Sequence, residues 1–496
     1  MKTSLRFMLP VACGVMAAAP NCVAATPHPG WPADERIAAV LSGLRPPIQV
    51  EGETEIRWTL EARMRHYGVP GVSIAVVDDG QLVWAEGFGV KVAGGSEPVD
   101  SATLFQAASI SKPVATLAIL KLAERGVVDL DADVNTLLKS WHVPTADGGV
   151  QSGVTLRQIL RHAAGFNVHG FSGFAASEKV PSLREILDGV PPAKNPPVRV
   201  EETPGTFKYS GGGFTVAELL IADVTKAAPP EVLSREVLTP FGMTSSTFVQ
   251  PLPSHDAPRA ATGHLSRRAT PIEGGWHAYP MTFAAGLWTT PTDLSRVLIA
   301  VQRASLNHSD GPVSPEVAKS MLTRTGGPVG LGFLVSGEGP EVRFSHNGSN
   351  AGFRAMIEAT AVSGKGLAIM ANSDAAIPLI VEIARAIKHA YGWTDTDQRR
   401  VRSVPLDAAA QEQLVGQYSI PESKNGRIVV SRADSVLRLR SEGTPEPVDV
   451  LLVPTSADTF VVPELGIEIR AILNGGQPAS ALLINGRRRD RISESK

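Results

Sequence analysis

The stretch QAASISKPVATLAILKLAERG, residues 106–126, sets a serine and a lysine three positions apart at the mouth of an amphipathic run. Val114, Leu117, Leu120 and Leu122 supply apolar positions along it, so the segment reads as a helix packed on a core. Residues i and i+3 share a helix face, which puts Ser109 and Lys112 within reach of one another. At a helix N-terminus the backbone dipole favours developing negative charge. A lysine in its neutral form there can accept a serine proton, the usual remedy for a hydroxyl too weakly acidic to attack alone. Pro113 suits the first turn, where a missing N–H costs little. The competing reading is a capping serine followed by a surface lysine. Ser-x-x-Lys is a cheap pattern, and Ser493-Glu494-Ser495-Lys496 matches it at the C-terminus with no helix following. Context has to decide.

Two further stretches supply it. GTFKYSGGGF, residues 205–214, places Tyr209 ahead of a triple glycine that opens a helix, a loop able to bring backbone and a phenol close to a substrate. FSHNGSNAGF, residues 344–353, places His346 at a strand end before Gly348, where a missing side chain permits edge approach by a ligand. Taken alone, a tyrosine or histidine is more often packed or exposed without a role.

Around these motifs the chain has 496 residues, enough for two or three domains. Hydrophobic residues make up 43% and charged residues 19%, the composition of a globular chain with a large core. Lys+Arg 47 against Asp+Glu 49 leaves a net charge of −2, which offers nothing to nucleic acid. Residues 1–25 read as a secretory signal, with Lys2 and Arg6 ahead of an apolar run from Phe7 to Ala19 and a cleavage site at Val23-Ala24-Ala25. The run is too short to span a bilayer, so no transmembrane segment is expected after its removal. Periplasmic or extracellular localisation follows. Both cysteines, Cys13 and Cys22, lie within that segment. The mature chain then has no disulfide, thiol nucleophile or zinc–thiolate site, and Ala-Pro-Asn is a poor lead-in to lipidation of Cys22.

Residues 54–67 suggest a helix with Ile56, Leu60 and Met64 on one face. Val72–Val77 and Gln81–Phe88 flank Asp78-Asp79-Gly80, a hairpin signal. Helical runs such as 155–162 and 215–226 fill the middle, and strand signals return at 341–345, 353–361 and 367–371 before a helix at 379–391. Distant ends pairing into one antiparallel sheet, with a helical insertion between them, satisfy this pattern. Residues 394–405 read as a polar linker, and 406–496 as short alternating strands of a small barrel or sandwich.

In its three motifs the chain resembles the serine β-lactamase and penicillin-binding-protein superfamily, in its class C-like branch. That branch carries Ser-x-x-Lys, Tyr-x-Asn and Lys/His-x-Gly in order, and here stand Ser109–Lys112, Tyr209-Ser210-Gly211 and His346-Asn347-Gly348. GVPGVSIAVVDDGQLVWAEGFG, TLRQILRHAAGF, FGMTSSTF and AAGLWTTPTDLSRV also look like the branch, over residues 54–393. The resemblance implies an α+β fold, an antiparallel sheet flanked by helices with a helical subdomain. The domain would run over 26–393, with the C-terminal all-β unit similar to the appendage of some members. It implies Ser109 as acylated nucleophile, Lys112 as general base and Tyr209 as proton shuttle. His346 would line the site, contacting a substrate carboxylate or hydrogen-bonding near Tyr209, and the N–H groups of Ser109 and Ser349 would form the oxyanion hole.

Two departures bear on substrate. Gly211 stands where β-lactamases have an asparagine that contacts the substrate acylamide, and glycine cannot make that bond. His346 replaces a lysine, weakening any pull on a carboxylate. Both favour an esterase or D-amino-acid peptidase or carboxypeptidase over a class C-like β-lactamase. The substrate is then a small-molecule ester, peptide or β-lactam. A catalytically silent penicillin- or peptide-binding protein is the alternative from another class, opposed by the intact Ser109/Lys112/Tyr209 set. His162 and His169 do not make a metal pair, since Gly165 and Gly170 interrupt any helix; His162 reads as structural. No metal, phosphate or dinucleotide motif is present, so no cofactor is expected.

Overall fold

The computed structural model describes residues 33–492 apart from 146, 395–397, 424, 434, 435, 445 and 446. The expected signal and the terminal Ser-Glu-Ser-Lys lie outside the described residues. Helices α1 (Ala33–Leu41) and α2 (Leu60–Tyr67) precede a hairpin of β1 (Gly71–Asp78) and β2 (Gln81–Gly89). Asp78 pairs with Gln81, and the two turn residues Asp79 and Gly80 have φ of 51° and 70°. Positive φ at both positions gives the turn whose twist matches paired strands.

The chain then passes through a helical region containing α3 (Ser111–Glu124), α4 (Gly211–Thr225) and α5 (Pro291–Ser305). It returns as β3 (Leu334–Ser336), β4 (Arg343–Asn350), β5 (Phe353–Thr360) and β6 (Gly366–Ala371), followed by α6 (Ile377–Ala390). Strand order is β2-β1-β6-β5-β4-β3, antiparallel at every pairing. The sheet therefore closes on strands from both ends of the domain, as the sequence pattern requires.

Alternation along each strand divides two cores. Ala75, Ala355, Ile357, Ala368 and Met370 face the helical region, while Ile74, Val76, Leu367 and Ile369 face α1, α2 and α6. On the second face Arg63 makes two bonds to buried Glu382, Nε–Oε2 at 2.8 Å and Nη2–Oε1 at 2.6 Å, and Tyr67 donates to Oε1 at 2.7 Å. A bidentate, fully partnered pair of this kind ties α2 to α6.

Three boundaries differ from the sequence expectation. The helix expected over 54–67 starts only at Leu60, because Leu44 and Trp58 exchange backbone bonds and hold the preceding residues extended. Ile56 is consequently exposed. Glu341 belongs to a 3₁₀ turn, and β4 runs on to Asn350, so His346 lies mid-strand rather than at a strand end. The expected linker 394–405 includes a strand, Arg399–Val401, paired in parallel with Ile48–Val50. Its charged side chains point outward while its backbone covers the edge of the buried 48–50 segment, a contact that composition does not register.

Between Gly416 and Asp490 eight antiparallel strands form a nearly closed all-β domain around Tyr418, Val430, Phe460 and Ile469. Arg491 closes it. Its guanidinium donates to the carbonyls of Ala479 in the seventh strand and of Val415 and Gln413 just ahead of the first, at 2.6, 2.8 and 2.8 Å, while its backbone bridges to Tyr418.

Candidate active site

Ser109 lies in a 3₁₀ turn, Ala108–Ile110, that feeds directly into α3. Ala108 has φ 49°, a left-handed conformation unfavourable for a residue with a Cβ. The N-cap of α3 is Ile110, and no side chain caps the helix. Ser111, not Ser109, serves the backbone: its Oγ donates to Ala108 O at 2.6 Å and accepts from Leu287 N at 3.0 Å. Ser109 Oγ instead accepts from Lys112 Nζ at 2.9 Å. The capping-serine reading of this motif does not hold.

Lys112 is buried in the first turn of α3. Its Nζ also donates to Ala284 O at 2.8 Å and stands 5.1 Å from the Tyr209 ring centroid. These partners are a hydroxyl, a carbonyl and an aromatic face, none of them a carboxylate.

Tyr209 immediately precedes Ser210, the N-cap of α4. The triple glycine that follows is closely packed: a Cβ on Gly211 would meet His169 O and Phe171 at 3.1 Å, and one on Gly212 would meet Val168 at 3.0 Å, so each would push its neighbours back slightly. His162 clamps the tyrosine from three sides. Its carbonyl accepts from Lys208 N at 2.7 Å, its Nδ1 accepts from Ser210 N at 3.1 Å, and its ring stacks on Tyr209 at 4.1 Å.

His346 reaches the same place from β4, its ring 6.2 Å from that of Tyr209 and its Nδ1 2.8 Å from Asn347 O. Burial, and then the Lys112 charge, push its pKa down to about 3, so the imidazole is uncharged at neutral pH. Gly348 makes room for the serine turn rather than for a ligand, since a Cβ there would come within 2.2 Å of Ala107 O. One cavity of about 440 Å³ is lined by Ser109, Lys112, Tyr209, Gly211, His346, Gly348 and Ser349 together. A larger apolar groove of about 920 Å³, lined by Leu60, Met64, Phe88 and Val90, contains none of them.

Residues 56–392 match the family model described as Beta-lactamase. The chain belongs to the Beta-lactamase family. Protein flp of Staphylococcus aureus (strain N315) is 24% identical over an aligned length of 351, a match that covers 67% of this chain and 66% of that relative's length. The octameric penicillin-binding protein homologue from Pyrococcus abyssi superposes with a TM-score of 0.58 at 20% identity, covering 87% of this chain and 98% of that one. Such coverage exceeds what the chain before the C-terminal domain can supply, so the shared fold extends into the eight strands. The D-amino acid amidase from Ochrobactrum anthropi SV3 superposes with a TM-score of 0.54 at 20% identity over 72% of this chain and 98% of that one. These structures share the fold.

Within this Beta-lactamase-family site, sequence reasoning missed three contributors. Ala284 acts through a backbone carbonyl, which no residue type announces. Glu218, buried in α4, accepts from Thr282 N at 3.1 Å, Thr282 Oγ1 at 2.6 Å and Phe283 N at 3.0 Å, and so fixes the turn that carries Ala284. A lone glutamate inside the apolar run FTVAELLIADV was its available signal. His162, read as structural, turns out to hold the tyrosine. Among the described residues no group of three or more His, Cys, Asp or Glu is placed to hold a metal, and no helix is long and apolar enough to cross a membrane.

The buried histidines set an acid limit. His346 and His162 both titrate below their ordinary value of 6.5, chiefly through burial, so the unfolded chain binds more protons than the native one below pH 6.5. Their contribution is complete above 6.5 and is lost as pH falls. Glu218, pushed up to about 7 by burial, acts in the opposite sense between pH 4.5 and 7. His389, pushed down to about 4, and His264 and His66, also lowered chiefly by burial, act in the same sense as the two site histidines, and Glu218 offsets only part of the loss. Denaturant unfolding should therefore show lower stability at pH 5.5 than at pH 6.5. Greater stability at pH 5.5 would contradict it.

Proposed function

We propose that the protein is a serine hydrolase that cleaves ester or amide bonds through an acyl-enzyme on Ser109. The 2.9 Å contact between Lys112 Nζ and Ser109 Oγ, inside a cavity shared with Tyr209, carries this reading. Lys112 in its amine form takes the serine proton while Oγ adds to the scissile carbonyl. The N–H groups of Ser109 and Ser349 receive the oxyanion. On collapse the bond to the leaving atom breaks, and a proton relayed through Tyr209 leaves with it. Water then adds to the acyl carbon and gives a proton to the relay, which passes it to Ser109 Oγ as the C–Oγ bond breaks and the acid leaves.

Among structural neighbours, a D-alanine carboxypeptidase from Burkholderia cenocepacia and the Ochrobactrum amidase carry D-amino-acid chemistry in their names. We carry over the reaction type, and with it ester or peptide hydrolysis ahead of β-lactam hydrolysis, because Gly211 has no side chain to bind an acylamide. Export by residues 1–25 to the periplasm or exterior belongs to the same proposal.

The protein lacking residues 1–25 should be mixed with p-nitrophenyl acetate, D-alanyl peptides and benzylpenicillin, quenched, and analysed by peptide mass spectrometry. An acyl adduct on the peptide containing Ser109, together with product release, is the expected result. A stable penicillin adduct without turnover of any substrate would favour the silent binding protein. Turnover with the adduct on another residue would sink the assignment of Ser109.

A further inference from the structure

The Ser109 cavity does not stop at the catalytic groups. Strand β3 pairs with Arg343–Ser345, so among the described residues no strand covers the outer edge of β4 from His346 onward. Alternation sends the His346 side chain toward Tyr209 and puts Asn347 and Ser349 on the opposite face, where their partners across β5 are Met356 and Arg354. On that face the first turns of α6 contribute Ile377, Ile380 and Val381, which line the same cavity as Ser109. The space therefore bends over the bare strand edge from the catalytic groups to a mainly apolar half, where Met356, Ile377, Ile380 and Val381 lie beside the polar Asn347, Ser349 and Arg354. Ile377 stands at 55% exposure although α6 buries most of its other apolar side chains.

Charge supports the same division. Arg354 is tied by Nη1 to Asp374 Oδ1 at 2.9 Å and to the carbonyls of Asn350 and Phe353. Lys112 is committed to Ser109 and Ala284, and His346 is uncharged at neutral pH. Among the described residues no aspartate or glutamate lines the cavity. The apolar half thus offers neither a free cation for a carboxylate nor an acid for an amine. Hydrocarbon is what it can bury with gain.

We propose that the substrate of Ser109 carries an uncharged, apolar substituent that lies across the open edge of β4 against Met356, Ile377, Ile380 and Val381. This inference rests on the hydrolase reading and adds the substrate class to it. Which side of the scissile bond bears the group is read from the test itself.

Two ester series decide it: p-nitrophenyl esters lengthened in the acyl part from acetate to hexanoate, and acetates lengthened in the alcohol from methyl to hexyl. In one series kcat/KM should rise about fourfold for each of the first added methylenes. An ω-carboxylate on the longer chain should lower kcat/KM by more than about tenfold. In Ile377→Asp and Val381→Asp, each checked for folding by circular dichroism, the long-to-short ratio should collapse toward one. A wild type that turns over acetates with no gain in either series overturns this inference alone, as does a gain that survives both aspartates. A folded wild type inert toward every ester overturns the hydrolase reading, and the inference with it.

Discussion

Ser109→Ala is expected to lower ester turnover by at least about 10³-fold, because it removes the oxygen that attacks in the proposed reaction while the rest of the cavity stays. Ser111→Ala, two residues on, should behave differently. Its hydroxyl bridges Ala108 O and Leu287 N, two backbone groups that hold the turn. Its loss strands the buried Leu287 N–H, while Ala108 O keeps the Ser111 backbone N–H, and should cost about 1–3 kcal/mol of stability, with a smaller loss of turnover. Steady-state rates and denaturant unfolding on both variants separate the two roles. The geometry makes the contrast sharp, since only Ser109 Oγ meets Lys112 Nζ, at 2.9 Å. Equal turnover in wild type and Ser109→Ala would end the acyl-enzyme reading.

Why Ser109 was legible and its support was not has a physical reason. Ser109 and Lys112 stand three apart at a helix mouth, Tyr209 and His346 gain meaning only from the motif order of the family resemblance, and the structure brings all four to one cavity. The β1–β2 hairpin was legible because Asp79-Gly80 is a turn-specific pair. What escaped depends on backbone or on burial. The Ala284 carbonyl, the strand Arg399–Val401 and the carbonyls gathered by Arg491 are all main-chain partners, indifferent to the side chain they carry. Gly348 was legible as a place needing no side chain, but the intruder is the Ala107 carbonyl. Local sequence can mark a close approach without naming what approaches.

The same limit concealed His162, and its substitution gives the second large effect. The residue holds φ 55°, presents Nδ1 to Ser210 N and stacks its ring on Tyr209 at 4.1 Å. Its carbonyl takes Lys208 N, so the N–H groups of both residues flanking the tyrosine hang on one residue. His162→Ala removes the ring and the acceptor, leaving the buried Ser210 N–H unpaired and the phenol free to swing. A displacement of about 1 Å in a relay group costs about 10²-fold, so kcat should fall by that order while KM changes little. His162→Asn is the informative partner. Asparagine tolerates left-handed backbone and offers an amide oxygen near the position of Nδ1. It should recover about tenfold of the lost kcat. A packing role alone would give the opposite outcome: both variants equally unstable, with kcat per folded molecule unchanged. Rescue of kcat by asparagine would assign His162 as the residue that positions Tyr209.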